Sequence, residues 1–473
     1  MARSPMPDVV VLLPGITGSV LQRNGKVTWG FSGATLAGSL FTRGRSLNRA
    51  LALREDPPEE DDLGDGVEAT ELIPDLHLLP GFWKIDGYTR VAQTLQARFQ
   101  LTEGENFFTF PYDWRRDNRV AARKLARDSH GWLKRWRESG NPDAKLVLIA
   151  HSMGGLVARY FLEVLEGWKD TRALVSFGTP YRGSLNALDT LANGMRKGPM
   201  GLLDLSELAR TFTSIYQLLP IYKCYDRGNG DLVRVGETEG IPNVDPKRAA
   251  SALAFHREIE EAVNTHRTRD DYLRDGYRTF PVVGIGQPTH QSARSGEGGV
   301  QLFSHLEGTD RRGDGTVPRV SAVPIEESRG GRGMFAATRH GSLQNADAVL
   351  THVDGVVQSL YFDLGEFREP APAPVEVALE VEDLCWSDEP VGVRARPSRE
   401  DVELSAALVN GNTGEVVASQ EMNDDDDGWR VTAFSPPGAG AYRIRVTGGP
   451  EVAPAEDAVA VASMGSGQAE EVA

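Results

Sequence analysis

"LVLIAHSMGGLVARYF", residues 146–161, decides the fold. The run Lys145–Ala150 (KLVLIA) is continuously apolar after its first residue, as a strand buried on both faces should be. A helical pattern follows from about Leu156 to Leu165. Between them lies Ala150-His151-Ser152-Met153-Gly154. So sharp a turn from strand to helix crowds the backbone around its middle residue. Small residues are needed two before and two after it, and the usual form is G-x-S-x-G. Alanine at the first position is small enough. Such a turn lifts the serine Oγ above the strand ends, and the helix start behind it offers N–H groups to a developing oxyanion. Ser152 is therefore the candidate nucleophile. His151 is its immediate neighbour, and adjacent residues on such a turn point apart. It is expected to pack or hydrogen-bond rather than act as the base.

Outward from this stretch, strand and helix patterns alternate. Asp8–Leu13, Phe107–Phe110, Ala173–Phe177, Phe280–Ile285 and Gly333–Ala337 are further strand-like runs. Tyr88–Phe99 places Val91, Leu95 and Phe99 at i, i+4 and i+8, and Arg119–Arg137 is rich in Arg, Ala and Leu. Apolar strands alternating with helices predict an α/β fold, a mainly parallel sheet covered on both faces. Two regions break the alternation and are expected to be a lid (about 30–80) and a cap (about 185–250) over the site. The first is irregular. It carries Arg43, Arg45, Arg49 and Arg54, then the acidic run EDPPEEDD from Glu55.

Near residue 370 the character changes at EPAPAPVEV. The alternating runs VEVALEVE, ELSAALV, WRVTAF and YRIRV, separated by turn signals, predict a small antiparallel β-sandwich. The expected organisation is a catalytic domain over 1–369, an accessory β-domain over 370–449 and a disordered tail over 450–473. The acidic Asp424–Asp427 reads as a hairpin turn rather than a calcium loop.

Composition narrows the function. The 473 residues carry a net charge of −16, with no basic face interleaved with aromatics, which argues against nucleic-acid binding. The two cysteines, Cys224 and Cys385, form no disulfide framework. The N-terminal apolar run Val9–Leu13 is too short for a leader or a span, so a cytoplasmic protein is expected, with at most peripheral membrane contact.

A serine nucleophile needs a base, and the base needs an orienting acid. In this fold the chain order is serine, acid, histidine. His340 follows the strand-like GMFAATR and precedes Gly341, where the base belongs, whereas His352 sits within a helical pattern. His256 and His266 fall in a charged helical stretch and are expected to be solvated. Asp314, in the glycine-flanked loop RRGDGTVP, is the candidate acid, with Asp310 its competitor. The oxyanion donors are expected to be the N–H groups of Met153 and of Ile16, with Thr17 the alternative to Ile16. Ile16 and Thr17 lie in the loop Pro14–Ser19 that directly follows the first strand.

These residues resemble the lecithin:cholesterol acyltransferase family, the phospholipase and acyltransferase branch of the α/β-hydrolases. The resemblance covers about residues 8–360. It rests on PGITGS (14–19), FPYDWRRD (110–117), AHSMGGLVARYFL (150–162), FGTPYRGS (177–184), YQLLP (216–220), GDGTVP (313–318) and RHGSLQN (339–345). It implies Ser152, Asp314 and His340 as nucleophile, acid and base, with Asp113 and Arg115 a structural pair. It also implies ping-pong acyl chemistry on a phospholipid or other glycerolipid, with no metal or cofactor. Two departures stand out: Ala150 replaces the common glycine, and the 30–80 region lacks the cysteine pair that ties the lid of secreted members. Two alternatives are an esterase for a soluble small ester and a partner-regulated effector that damages membranes. The C-terminal β-domain is a candidate site for a protein partner.

Overall fold

The computed structural model describes residues 3–30, 45–74, 86–197, 203–327, 333–362 and 375–463. They fall into two compact units, one ending at Phe362 and the other beginning at Asp363. Parts of the expected lid (31–44, with Arg43, and 75–85), the Pro/Ala linker at 363–374 and the chain end at 464–473 lie outside the described residues.

Six strands build the central sheet of the first unit. They are β1 (Val9–Leu13), β2 (Phe107–Thr109), β3 (Leu146–His151), β4 (Thr171–Phe177), β5 (Arg278–Gly284) and β6 (Met334–Ala336). Their order is β6-β5-β4-β3-β1-β2, and every pairing is parallel. Residues of β1 and β3 alternate between two cores. Val9, Val11, Leu13, Leu146, Leu148 and Ala150 join one, and Val10, Leu12, Val147 and Ile149 join the other. The helices Asn118–Glu138 and Met153–Glu163 fill the first core, while Thr89–Arg98 and Asp347–Ser359 fill the second. Both faces are covered, so these strands read as unbroken apolar runs, each fully buried Val or Leu contributing about 1.5–3 kcal/mol. The chain leaves β1 for β2 on one side and returns to β3 on the other. That reversal opens a crevice beyond the carboxyl ends of β1 and β3, where ligands of such sheets bind.

The 30–80 region is more regular than its sequence reads. Val67–Leu72 pairs antiparallel with Ser19–Arg23, which also pairs with Lys26–Trp29. The strand VEATEL is half-exposed and rich in glutamate, so no apolar run marks it. The acidic run finds its partners on the neighbouring helix and its lead-in. Arg116 donates to Asp56 Oδ1 at 2.9 Å and to the Asp61 and Glu60 carbonyls, and Arg123 and Arg127 both hold Asp61. Arg115 is fully buried and bridges Asp113, Asp65 and the Leu51 carbonyl. The YDWRRD motif thus anchors residues 51–65 to the start of the helix.

The region expected as a cap contributes the helices Leu185–Ala192, Ser206–Thr211 and Thr213–Gln217. Its short strands Tyr225–Asp226 and Leu232–Val233 complete a four-stranded sheet with the hairpin Ser292–Gly296 and Gly299–Phe303. The solvated reading of His256 and His266 is overturned. Both are buried on the long helix Pro246–His266, whose inward set is Ala252, His256, Ile259, Val263 and His266. The charges that suggested solvation lie on its outer face.

The second unit holds a four-stranded and a five-stranded sheet around one core, which includes Val391, Leu408, Phe434 and Ile444. Among the described residues its strands pair antiparallel, except that Leu384–Trp386 runs parallel to Ala460–Ala462 and an isolated parallel bridge joins Val375 to Val452. The expected disordered tail from 450 needs correction, because Ala455–Ala462 is a strand against Gly440–Thr447. Its inward residues Val459 and Val461 are buried. The small alanines around them left no visible alternation. Asp424 is held by Arg430 at 2.8 Å.

Candidate active site

β3 ends at His151, and the helix Met153–Glu163 begins one residue beyond Ser152. Ser152 has φ 53° and ψ −123°. A side chain in such a conformation costs about 1–3 kcal/mol, which the surroundings must offset. They do so by crowding and by a hydrogen bond from Ser152 N–H to the Phe177 carbonyl of β4 at 2.8 Å. A Cβ on Gly154 would stand 2.4 Å from the Pro14 carbonyl oxygen, and one on Gly155 would stand 2.0 Å from Thr179 Oγ1. Only glycines let the helix start press so closely on these loops.

The structure brings Ser152, His340 and Asp314 together. Ser152 Oγ lies 2.9 Å from His340 Nε2, and His340 Nδ1 lies 2.7 Å from Asp314 Oδ2. The second oxygen of Asp314 accepts from the N–H groups of Thr316 at 2.9 Å and Val317 at 2.7 Å. Asp314 is 1% exposed, so these bonds hold the carboxylate where water cannot. His340 N–H donates to the Asp314 carbonyl at 2.9 Å, which ties the two loops through their backbones as well. The competitor Asp310 is occupied elsewhere: its Oδ1 accepts from Gln291 Nε2 and from Arg312 N–H, each at 2.7 Å.

Gly15 and Ile16 follow β1 and face Ser152 across the crevice. A Cβ on Gly15 would meet the Ser152 Cβ at 2.9 Å. As the first residue of its helix, Met153 has no intrahelical acceptor for its N–H. Among the described residues, the Ile16 N–H has no backbone acceptor. Thr17 has φ 63°, and its carbonyl is taken by Trp29 Nε1 at 3.0 Å.

These groups open into a cavity of about 510 Å³, within the usual range for a small-molecule site. Ile16, Ile215, Leu218, Met195, Pro288 and Val317 give it apolar walls. The helix Leu185–Ala192 turns its leucines into the core and presents Asn186, Asp189 and Thr190 to the cavity. His290 also lines it, although its sequence position gave no hint of that.

Tyr88 and Gly178 were not singled out by sequence. Tyr88 opens an ordinary amphipathic helix, yet its hydroxyl accepts from Gly15 N–H at 2.8 Å and lies 2.9 Å from His151 Nδ1. Gly178, within FGTPYRGS, has φ 55° and packs against both Asp314 and His340. His151 is buried, and burial, aided by the neighbouring His340, lowers its pKa to about 3. It is neutral at ordinary pH.

Residues 47–267 match the family model for lecithin:cholesterol acyltransferase, which bears out the resemblance read from the motifs. Among curated proteins, "Lysosomal phospholipase A and acyltransferase" of Homo sapiens is 35% identical over 130 residues, covering 25% of this chain and 29% of that protein. The Bos taurus protein of that name is 37% identical over 238 residues, covering 46% and 53%. The matches thus span about half or less of these relatives' length. A crystal structure of a Bacillus licheniformis lipase in mature form aligns over 76% of this chain and 95% of its own, at 12% identity and a TM-score of 0.35.

Proposed function

We propose, from the match to the lecithin:cholesterol acyltransferase family and the site geometry, that this protein is a serine-dependent lipid acyl hydrolase or acyltransferase. The observation that carries the reading is the hydrogen-bonded line from Ser152 Oγ through the His340 ring to Asp314, at 2.9 and 2.7 Å, on a strained turn. In this reading His340 Nε2 takes the Ser152 proton as Oγ attacks an ester carbonyl. Asp314 holds the Nδ1–H tautomer and stabilises the imidazolium. The N–H groups of Ile16 and Met153 receive the oxyanion. His340 then protonates the leaving alcohol, and water or a second alcohol releases the acyl group from Ser152.

The apolar cavity walls favour a long-chain acyl ester, and the family match favours a phospholipid or other glycerolipid. A second reading, a soluble small ester, draws on the polar stripe Asn186, Asp189 and Thr190. One experiment tests both. Wild type and Ser152→Ala are given phospholipid vesicles and short p-nitrophenyl esters, and products are identified by mass spectrometry. Ser152→Ala should lower kcat by about 10³-fold or more. Wild-type release of fatty acid, or its transfer to an added alcohol, supports the lipid reading. Turnover confined to the short esters favours the second. Activity retained by Ser152→Ala, with no fluorophosphonate labelling of the wild type, would sink both.

A further inference from the structure

We infer that His151 and Tyr88 form a positioning relay that locks the oxyanion loop to the catalytic base, a role that rests on the reading of Ser152 and His340 above. Neighbouring groups assign every proton along the relay. Gly15 N–H can only donate, so the Tyr88 hydroxyl accepts from it at 2.8 Å. The single Tyr88 proton is then directed to His151 Nδ1 at 2.9 Å. His151 Nδ1 is thereby the acceptor and Nε2 carries the hydrogen, which it donates to the His340 carbonyl at 3.1 Å. One unbroken chain of hydrogen bonds joins the loop that faces the developing oxyanion to the backbone of the base.

The surroundings keep the relay in this state. His151 is 1% exposed and Tyr88 is 2% exposed, so neither has water as a substitute partner. Burial raises the Tyr88 pKa far above its ordinary value, and the neutral His151 has one donor and one acceptor to give. The far side of Tyr88 is clamped too. Its N–H donates to the Ile73 carbonyl at 3.0 Å, and Asp86 N–H donates to the Gly341 carbonyl at 2.8 Å. The segment 86–88 thus touches both loops of the site. Loss of the Tyr88 hydroxyl would leave Gly15 N–H and His151 Nδ1 without their partners, a cost relieved only by loop movement.

Neither residue faces the reacting atoms as donor or base, so the expected signature is a fall in kcat at nearly constant KM. The test uses the full chain, a soluble p-nitrophenyl ester and the rate of fluorophosphonate labelling of Ser152. Tyr88→Phe keeps the ring and removes only the hydroxyl. It should lower kcat and labelling rate about tenfold, with KM within about twofold and an intact fold by circular dichroism. His151→Phe should lower kcat about a hundredfold. His151→Gln, whose amide can donate to the His340 carbonyl, should recover to within about tenfold of wild type. Wild-type labelling rates in both phenylalanine variants would overturn the relay while leaving the nucleophile assignment intact. So would losses that appear as a raised KM, or no better activity in His151→Gln than in His151→Phe. Failure of the wild type itself to label at Ser152 overturns the underlying reading instead. If His151→Phe does not fold, Tyr88→Phe alone decides the matter.

Discussion

Gly178 has φ 55°, and a Cβ built on it would lie 2.8 Å from Asp314 Oδ2 and 2.9 Å from His340 Nδ1. One added methyl therefore meets both ends of the hydrogen bond that orients the imidazole. The left-handed backbone adds its own cost to any side chain there, about 1 kcal/mol. On the proposed roles, Gly178→Ala is expected to lower kcat on a soluble ester by about a hundredfold, because displacing the His340 ring by a fraction of an ångström spoils its aim at Ser152. The rest of the molecule should stay folded, as judged by near-ultraviolet circular dichroism. A variant with wild-type kcat would show that the Asp314–His340 contact bears no such constraint. In the sequence, the glycine of FGTP is one residue of a common lipase motif, and nothing local reveals what it touches. Ser152 differs, because a turn between an apolar strand and a helix declares its own geometry. That Asp314 and His340 would meet beside Ser152 was legible through chain order and loop position. The place of Tyr88 beside them was not, because it shows only in a contact with His151, 63 residues away.

Among the elements, those that bury both faces were legible and those that bury one side were harder. The parallel strands announced themselves as apolar runs. Val67–Leu72 and Ala455–Ala462 did not, because glutamates or alanines fill their outward positions. The long helix Pro246–His266 hid its inward face in the same way. His256 belongs to that face, and its Nε2–H donates to the Gln217 carbonyl at 2.8 Å within the YQLLP segment. Burial, with a smaller contribution from the Arg119 charge, lowers its pKa from 6.5 to about 4. The unfolded chain therefore binds a proton on His256 between about pH 6.5 and 4 that the folded chain refuses. This contribution to stability is whole above about pH 6.5, falls as the pH drops, and is gone near pH 4. Its ceiling is roughly 3 kcal/mol, at about 1.4 kcal/mol per pKa unit. His256→Gln removes the titration while keeping a donor for the carbonyl. Urea midpoints measured at pH 7.5, 6 and 5 should fall less steeply for His256→Gln than for the wild type. Parallel slopes would mean that this imidazole is not held neutral by the fold.

At the scale of the whole molecule, every described residue that lines the cavity, and every member of the Ser152–His340–Asp314 line, lies in the unit ending at Phe362. The second unit has a core of its own, with Val391, Val393, Ala395, Leu408, Ile444 and Val446 each no more than 1% exposed. The change of pattern near residue 370 was legible because strand alternation replaces the helix-strand alternation within a few residues. A unit with its own core and its own hydrogen-bonded sheets should fold without the other. A chain ending at Phe362 is therefore expected to hydrolyse a short soluble ester with kcat within about twofold of the full chain. Residues 375–463 alone should give a β-type circular dichroism spectrum and a single cooperative unfolding transition. Running both fragments against phospholipid vesicles as well as the soluble ester separates two contributions. If the first unit keeps the soluble activity but loses turnover on vesicles, the β-unit serves access to the lipid surface rather than chemistry. An inactive, unfolded first unit would instead make the β-unit part of the catalytic fold, against the division its separate core implies.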